Sequence, residues 1–521
     1  MLRESKGVHG LGAVVIFLCV SSGSVSSGGS LDGGMTGDPP PWDGLPVLTS
    51  SIVTDGALAD DSCSTGNYPA QWEWSADQTV AAPAAATSGT PQVRQYRGGQ
   101  LIATYATLGS GDNQCQRTEN SSQNPVVACG PFNRNPFRNW QDGDVFEVSP
   151  AVYSGVANQP YIGPGIDTEA EFEANQWHIP KNIVIRGITV DGKRPVIVLD
   201  GEGTSINTLN QAPVYIDQSE NLTIENIDIA CTAAVSVKAG VYINGGKNVT
   251  LRDMRIHGFR IARGNGIIGS PANAGVLWLD RLELFDNGGD SGPEHNVYIG
   301  ASDEDPNFTV RMTNSWSHDA FYGHTFKSRA QVNILEGNYF QGGRPVAGES
   351  QAEAYLVDIP DGGRLSMRNN ILAKDASGDN SNGASITFGV ESILDERPLG
   401  ITIENNTFVA FAPYFDSQMH PLLPFIFFYP PQLPGDPDFP VSPAEVAVRR
   451  NVFAGYCSLE DRIAAYRGDL ALTVGMSELN EDYSLKNRYV SEDLSILGTA
   501  SYRHATQGGG TREMPTIGAV D

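Results

Sequence analysis

The chain has 521 residues, with 60 acidic against 34 basic side chains and a formal net charge of −26. That balance argues against nucleic acid as a partner, because an acidic field repels phosphate backbones. With 58 glycines, 40 % hydrophobic residues and only 18 % charged ones, the chain reads as folded and rich in strands and turns, not disordered.

Arg3 and Lys6 precede the apolar stretch LGAVVIFLCV at 11–20, and the small residues SSGSVSSGG follow. A basic head, a short apolar segment and a small-residue tail predict a secretory signal peptide over residues 1–23. The apolar stretch is too short to span a bilayer comfortably. No later segment of the sequence is apolar enough to insert, so the expectation is a secreted monomer, extracellular or periplasmic, with no membrane insertion after cleavage. Cys63, Cys115, Cys129, Cys231 and Cys457 follow the signal. Export permits disulfides, and Cys115 with Cys129 would close a short Asn/Gln/Ser-rich loop, while the odd count leaves a thiol over. No CxxC or Cys/His spacing suggests zinc.

Residues 24–41, rich in Gly, Ser and Pro, predict a flexible leader, and 42–140 an irregular N-terminal region or cap. From 141 the texture changes to repeats. Runs such as NIVIRGITV (182–190), NLTIENIDI (221–229), NVTLRDMRI (248–256), VLWLDRLEL (276–284) and VNILEGNYF (332–340) alternate with shorter ones such as AGVYING, HNVYIGA and GHTFKSR. Each unit is too small to bury a face alone, so stacked units must share a core. Asn226, Asn314, Asn338, Asn406 and Asn451 end several runs and suit turns needing left-handed geometry, or hydrogen bonds between equivalent turns. No helical segment of any length separates the strands. The expectation is an all-β parallel β-helix over 141–457 with a C-terminal cap over 458–521.

These runs resemble the right-handed parallel β-helix, pectate-lyase-like superfamily over roughly residues 141–457. DGDVFEVSPAVYSG (142–155) is similar to the family's opening turn, with Ala151 where a glycine is usual, and PTIGAVD (515–521) is similar to its closing tail. The resemblance implies secreted polysaccharide-active chemistry, some of it with calcium, across lyases, epimerases, hydrolases, esterases and binding proteins. Fold alone does not choose among them.

The residues that could choose sit in EHNVYIG (294–300) and FYGHTFKSRA (321–330). Three of the eight histidines, His295, His318 and His324, fall within thirty residues here, beside Lys327 and Arg329. Strand alternation places Phe326 inward and Lys327 and Arg329 outward, and Val297 and Ile299 inward with Asn296 and Tyr298 outward. On adjacent rungs, about 4.8 Å apart, these form one outward ridge. Elimination or epimerisation at a uronic acid needs a base, an acid and a carboxylate neutraliser. Lys327 or Tyr298 is the expected base or acid, with Lys327 made neutral by crowding; Arg329 and Asn296 are the expected neutralisers. His295 or His324 is the second proton carrier, and His318 a substrate contact. The expected substrate is an anionic polysaccharide.

Other residues compete. Asp303, Glu304 and Asp305 could bind calcium, the candidate cofactor, but suit a solvated loop better. Asp358 and Asp361 could be a hydrolase pair, against which Pro360 and Gly362 favour turn roles. The aromatic insertion 414–440 could wall a groove. A glycoside hydrolase with paired carboxylates and a non-catalytic glycan-binding matrix protein remain alternatives to the lyase or epimerase.

Overall fold

In a computed structural model of the chain, the described residues are 84–109, 140–155, 158–163, 179–200, 212–342 (less 235, 290–292 and 322), 355–374, 385–391 (less 390) and 400–410. To these are added strands at 115–117, 127–129, 426–428, 446–449, 451–454 and 471–474. Among them regular structure is almost wholly strand, with one 3-10 turn at Phe259–Ala262.

Three long sheets carry the fold, of 12, 11 and 9 strands among the described residues. The chain visits them in rotation. Glu220–Glu225 lies in the first, Asp228–Cys231 in the second and Ala239–Asn244 in the third, and Lys247–Arg252 then returns to the first, one rung on. Neighbouring rungs pair in parallel, an arrangement compatible with a β-helix solenoid. Parallel register stacks like on like: Ile229, Ile256, Leu284, Ser317, Phe340, Leu372 and Phe408 follow one another inside the second sheet, all fully buried. Each such apolar side chain contributes roughly 1.5–3 kcal/mol. No rung could retain that burial without its neighbours.

The turn between the first and second sheets needs a residue at positive φ. Asn226 (57°), Asp253 (54°), Arg281 (51°), Asn314 (50°), Asn369 (57°) and Asn405 (55°) supply it. Short polar side chains tolerate this geometry best. Asn226 and Asn314 thus have the expected turn role, but Asn338, Asn406 and Asn451 do not. They occupy the next position, pointing inward. There the stack begins as Ile227, Met254 and Leu282 and changes to Ser315, Asn338, Asn370, Asn406 and Asn451. Each amide oxygen accepts the backbone N–H one rung earlier: Ser315 N to Asn338 Oδ1 at 3.0 Å, then 2.9 Å for Asn338 to Asn370, Asn370 to Asn406 and Asn406 to Asn451.

Two expected boundaries move. Inside the region read as irregular, Val93–Arg97 and Gln100–Tyr105 form a hairpin around Gly98–Gly99 that extends the first sheet antiparallel to Val145–Val148. Alternation on both sides of a Gly-Gly pair was its signal. At the other end, Ala471–Val474 adds a parallel strand to Asn451–Ala454, so stacking continues past residue 457. Cys115 and Cys129 are register partners in a separate two-stranded hairpin. The stretches expected to be a signal peptide and a leader, most of 414–440 and the 515–521 tail lie outside the described residues.

Candidate functional site

Outward positions of the third sheet run Tyr298, Lys327, Asp358 and Thr387 on successive rungs. This places Tyr298 beside Lys327 in the register that strand alternation implies. Arg329, two residues past Lys327, brings Nε to within 3.2 Å of the Tyr298 hydroxyl.

What surrounds Lys327 differs from the basic cluster that sequence reading anticipates. Its Nζ lies 3.0 Å from Asp358 Oδ2 and 2.7 Å from Glu391 Oε1. Arg329 pairs with Asp361 at 2.5 Å through Nη1 and with Glu391 through Nη2. Two cations therefore meet three carboxylates. Burial works against the Lys327 charge, but Asp358 and Glu391 overcome it and hold the ammonium above the usual lysine range. The neutral-amine base expected of Lys327 does not fit these surroundings, because the crowding charges are acidic, not basic.

The two carboxyls on that lysine are pushed in opposite directions. Asp358 is 1 % exposed, and burial raises its pKa in spite of Lys327. Glu391 is also desolvated in part, yet the hydrogen bonds from Lys327 and Arg329 lower it. Asp358 is thus an outward, deeply buried strand residue, not the turn residue its Pro360–Gly362 context suggests. Glu391 went unnoticed in the sequence. It stands 62 residues beyond Arg329, and no local pattern links the two.

The histidines divide. Gly323 packs so closely that a Cβ there would come within 1.8 Å of Glu294 O, and this approach seats His324 against His295. Their rings stack at 4.6 Å, and His324 Nε2 stands 3.3 Å from Asp358 Oδ2. Burial, with the charges of Lys327 and Arg329 adding, drives the His295 pKa well below the usual histidine range. His318 is not brought to this ridge. It follows Trp316–Ser317 of the second sheet and stacks on Trp316 at 3.8 Å and on Phe285 at 5.0 Å.

Asn296 is likewise corrected. It is fully buried, and its Nδ2 donates to Ser317 Oγ at 3.1 Å and to the His318 carbonyl at 2.8 Å. At the strand start the alternation has not begun, and the amide finds its partners inside the coil, the Leu284 and His318 carbonyls and the Ser317 hydroxyl. It is unavailable as a carboxylate neutraliser. In the acidic loop, Asp305 accepts the backbone N–H groups of Gly275 at 2.7 Å and Asn307 at 2.9 Å, a turn-building role. Among the described residues no group of three or more His, Cys, Asp and Glu side chains is arranged to hold a metal ion.

No family model, curated protein or solved structure matches this chain.

Proposed function

We propose that the chain is a secreted glycan hydrolase of the right-handed, pectate-lyase-like β-helix type, with Asp358 as proton donor and Glu391 as its ionised partner. One observation carries the reading: both carboxyls touch the Lys327 ammonium while their surroundings push their proton affinities apart. Paired carboxyls with divergent pKa values are how glycosidases separate acid from nucleophile or base. The two oxygens share one Nζ within 3.0 Å, so they lie no more than about 6 Å apart, closer to the spacing of retaining enzymes than of inverting ones. Asp358 would protonate the leaving glycosidic oxygen while Glu391 attacks the anomeric carbon, and water then releases the sugar. Lys327 keeps Glu391 ionised.

The excess carboxylate of the ridge, within a chain of net charge −26, favours a neutral glycan over a polyuronate. One contact supports the lyase or epimerase reading on an anionic polysaccharide. The Tyr298 hydroxyl, a proton carrier, lies against the Arg329 guanidinium, a carboxylate-binding fork. Export is proposed on Arg3, Lys6 and the apolar segment 11–20.

The deciding screen offers the purified chain neutral glucans and xylans, amino-sugar polymers and polyuronates. New reducing ends and the near-UV absorbance of unsaturated ends are both measured. Asp358→Asn and Glu391→Gln should each lower hydrolysis by about 10²–10⁴-fold without changing the strand-rich circular dichroism. Unsaturated products abolished by Tyr298→Phe, with Asp358→Asn active, would install the uronate reading instead. Variants as active as the parent would make the ridge structural.

A further inference from the structure

His295, His324 and Tyr355 occupy one position on three successive rungs, each two residues before its strand: Val297–Ile299, Phe326–Ser328 and Val357–Ile359. The three rings stack, His324 lying 4.6 Å from His295 and 5.3 Å from Tyr355, with interplanar angles of 13° and 6°. A second set of contacts runs along the same stack. Asn265 Oδ1 accepts the His295 backbone N–H at 2.7 Å, His295 Nδ1 accepts that of His324 at 2.8 Å, and His324 Nδ1 accepts that of Tyr355 at 3.0 Å. An Nδ1 that accepts a hydrogen bond carries no proton. Each of the two imidazoles is therefore neutral and bears its hydrogen on Nε2.

For His324 this has a directed result. Its Nε2 stands 3.3 Å from Asp358 Oδ2, the oxygen that also meets Lys327 Nζ at 3.0 Å, while Oδ1 accepts the Thr387 hydroxyl at 2.8 Å. Three donors from two neighbouring rungs thus surround one carboxyl, and Glu391 faces it across Lys327. We propose that His324 is a positioning residue, locked by the Tyr355 backbone N–H as the Nε2–H tautomer and aimed by it at the Asp358 carboxyl. The proton-carrier role expected from sequence does not fit, because passing a proton through the ring would break the Nδ1 contact that holds the rung. The catalytic meaning rests on the hydrolase reading of Asp358; the tautomer and the contact do not.

The stack itself supplies the control. Asn265, one rung before His295, makes the same backbone cap with an amide oxygen. His324→Asn should therefore keep the cap on Tyr355 N–H and lose only the reach to Asp358. In protein labelled with ¹⁵N-histidine, the His324 signal, assigned by its absence in His324→Asn, should show the Nε2–H pattern. In protein labelled at the aspartate carboxyls, the Asp358 signal is assigned through Asp358→Asn. Its titration midpoint should rise by about one pH unit in His324→Asn, because a donor lost from a carboxylate favours the protonated form. The alkaline limb of hydrolysis should move up with it, while thermal stability stays near that of the parent. An unchanged midpoint would overturn the proposal and leave the hydrolase reading standing. So would an Nδ1–H signal in the parent, which needs no variant to fold. Full activity of Asp358→Asn would do the reverse, ending the hydrolase reading but not the tautomer assignment.

Discussion

At the scale of single residues, His257 and His318 show how the same ring on the same stack acquires opposite acid–base behaviour. Both lie face to face with Phe285, at 4.6 and 5.0 Å. Burial pushes His257 down to about 4, and the Arg255 charge adds to it. Burial opposes charge on His318 too, but Asp319 and Glu283 outweigh it and raise its pKa. Between pH 6.5 and about 4 the unfolded chain takes up a proton at residue 257 that the folded chain refuses, so stability falls as pH falls. His257→Phe, which keeps the stack, should flatten that acid limb in melting temperature measured against pH. His318 contributes in the other sense: its stabilisation is complete below its unfolded pKa and is lost as pH rises through the raised folded one. His318→Phe should accordingly cost most at acidic pH, and a curve parallel to the parent's for either variant would refute its assignment. None of this was legible in sequence, where His318 reads as a companion of His324. The partition into separate sheets rests on where the chain turns between Ser317 and Phe326, which composition does not encode.

At the scale of elements, the inward Asn stack tests whether polar groups inside the coil stabilise it. Asn370 receives the Asn338 N–H at 2.9 Å, donates to the Leu335 carbonyl at 2.9 Å and donates to Asn406 Oδ1 at 2.9 Å. Asn370→Leu fits the apolar pattern of the earlier rungs, yet it would leave the buried N–H of Asn338 without its acceptor. We expect a loss of about 2–4 kcal/mol in urea unfolding, the cost of two stranded backbone groups. A loss under about 0.5 kcal/mol would mean that water or a shifted rung replaces the amide. The asparagine periodicity was visible in the sequence, but its two roles were not separable. Positive φ and inward stacking fall on adjacent residues, as in Asn369–Asn370 and Asn405–Asn406, and which of the two turns the corner is a matter of rung register.

At the scale of the whole molecule, the charge of −26 makes the substrate question an electrostatic one. If the ridge serves a neutral glycan, KM should barely respond to salt. A polyuronate should instead bind better as salt rises, because the Debye length shrinks from about 30 Å at 0.01 M to about 8 Å at 0.15 M and screens the repulsion. Measuring KM for both substrates across that range checks this. Polyuronate binding that weakens with salt would show that Lys327 and Arg329 dominate the field at the ridge.

The sequence by itself determined the repeating strands, the side that most strand residues face and the meeting of Tyr298 with Lys327. These follow from a two-residue side-chain period and a rung length, both local quantities. Only the tertiary structure decided what those side chains meet. Asp358 and Glu391 reach Lys327 from later rungs, 31 and 64 residues on. Their arrival turned an expected neutral lysine into a held ammonium. A pKa depends on every charge within a few ångströms, whatever its distance along the chain.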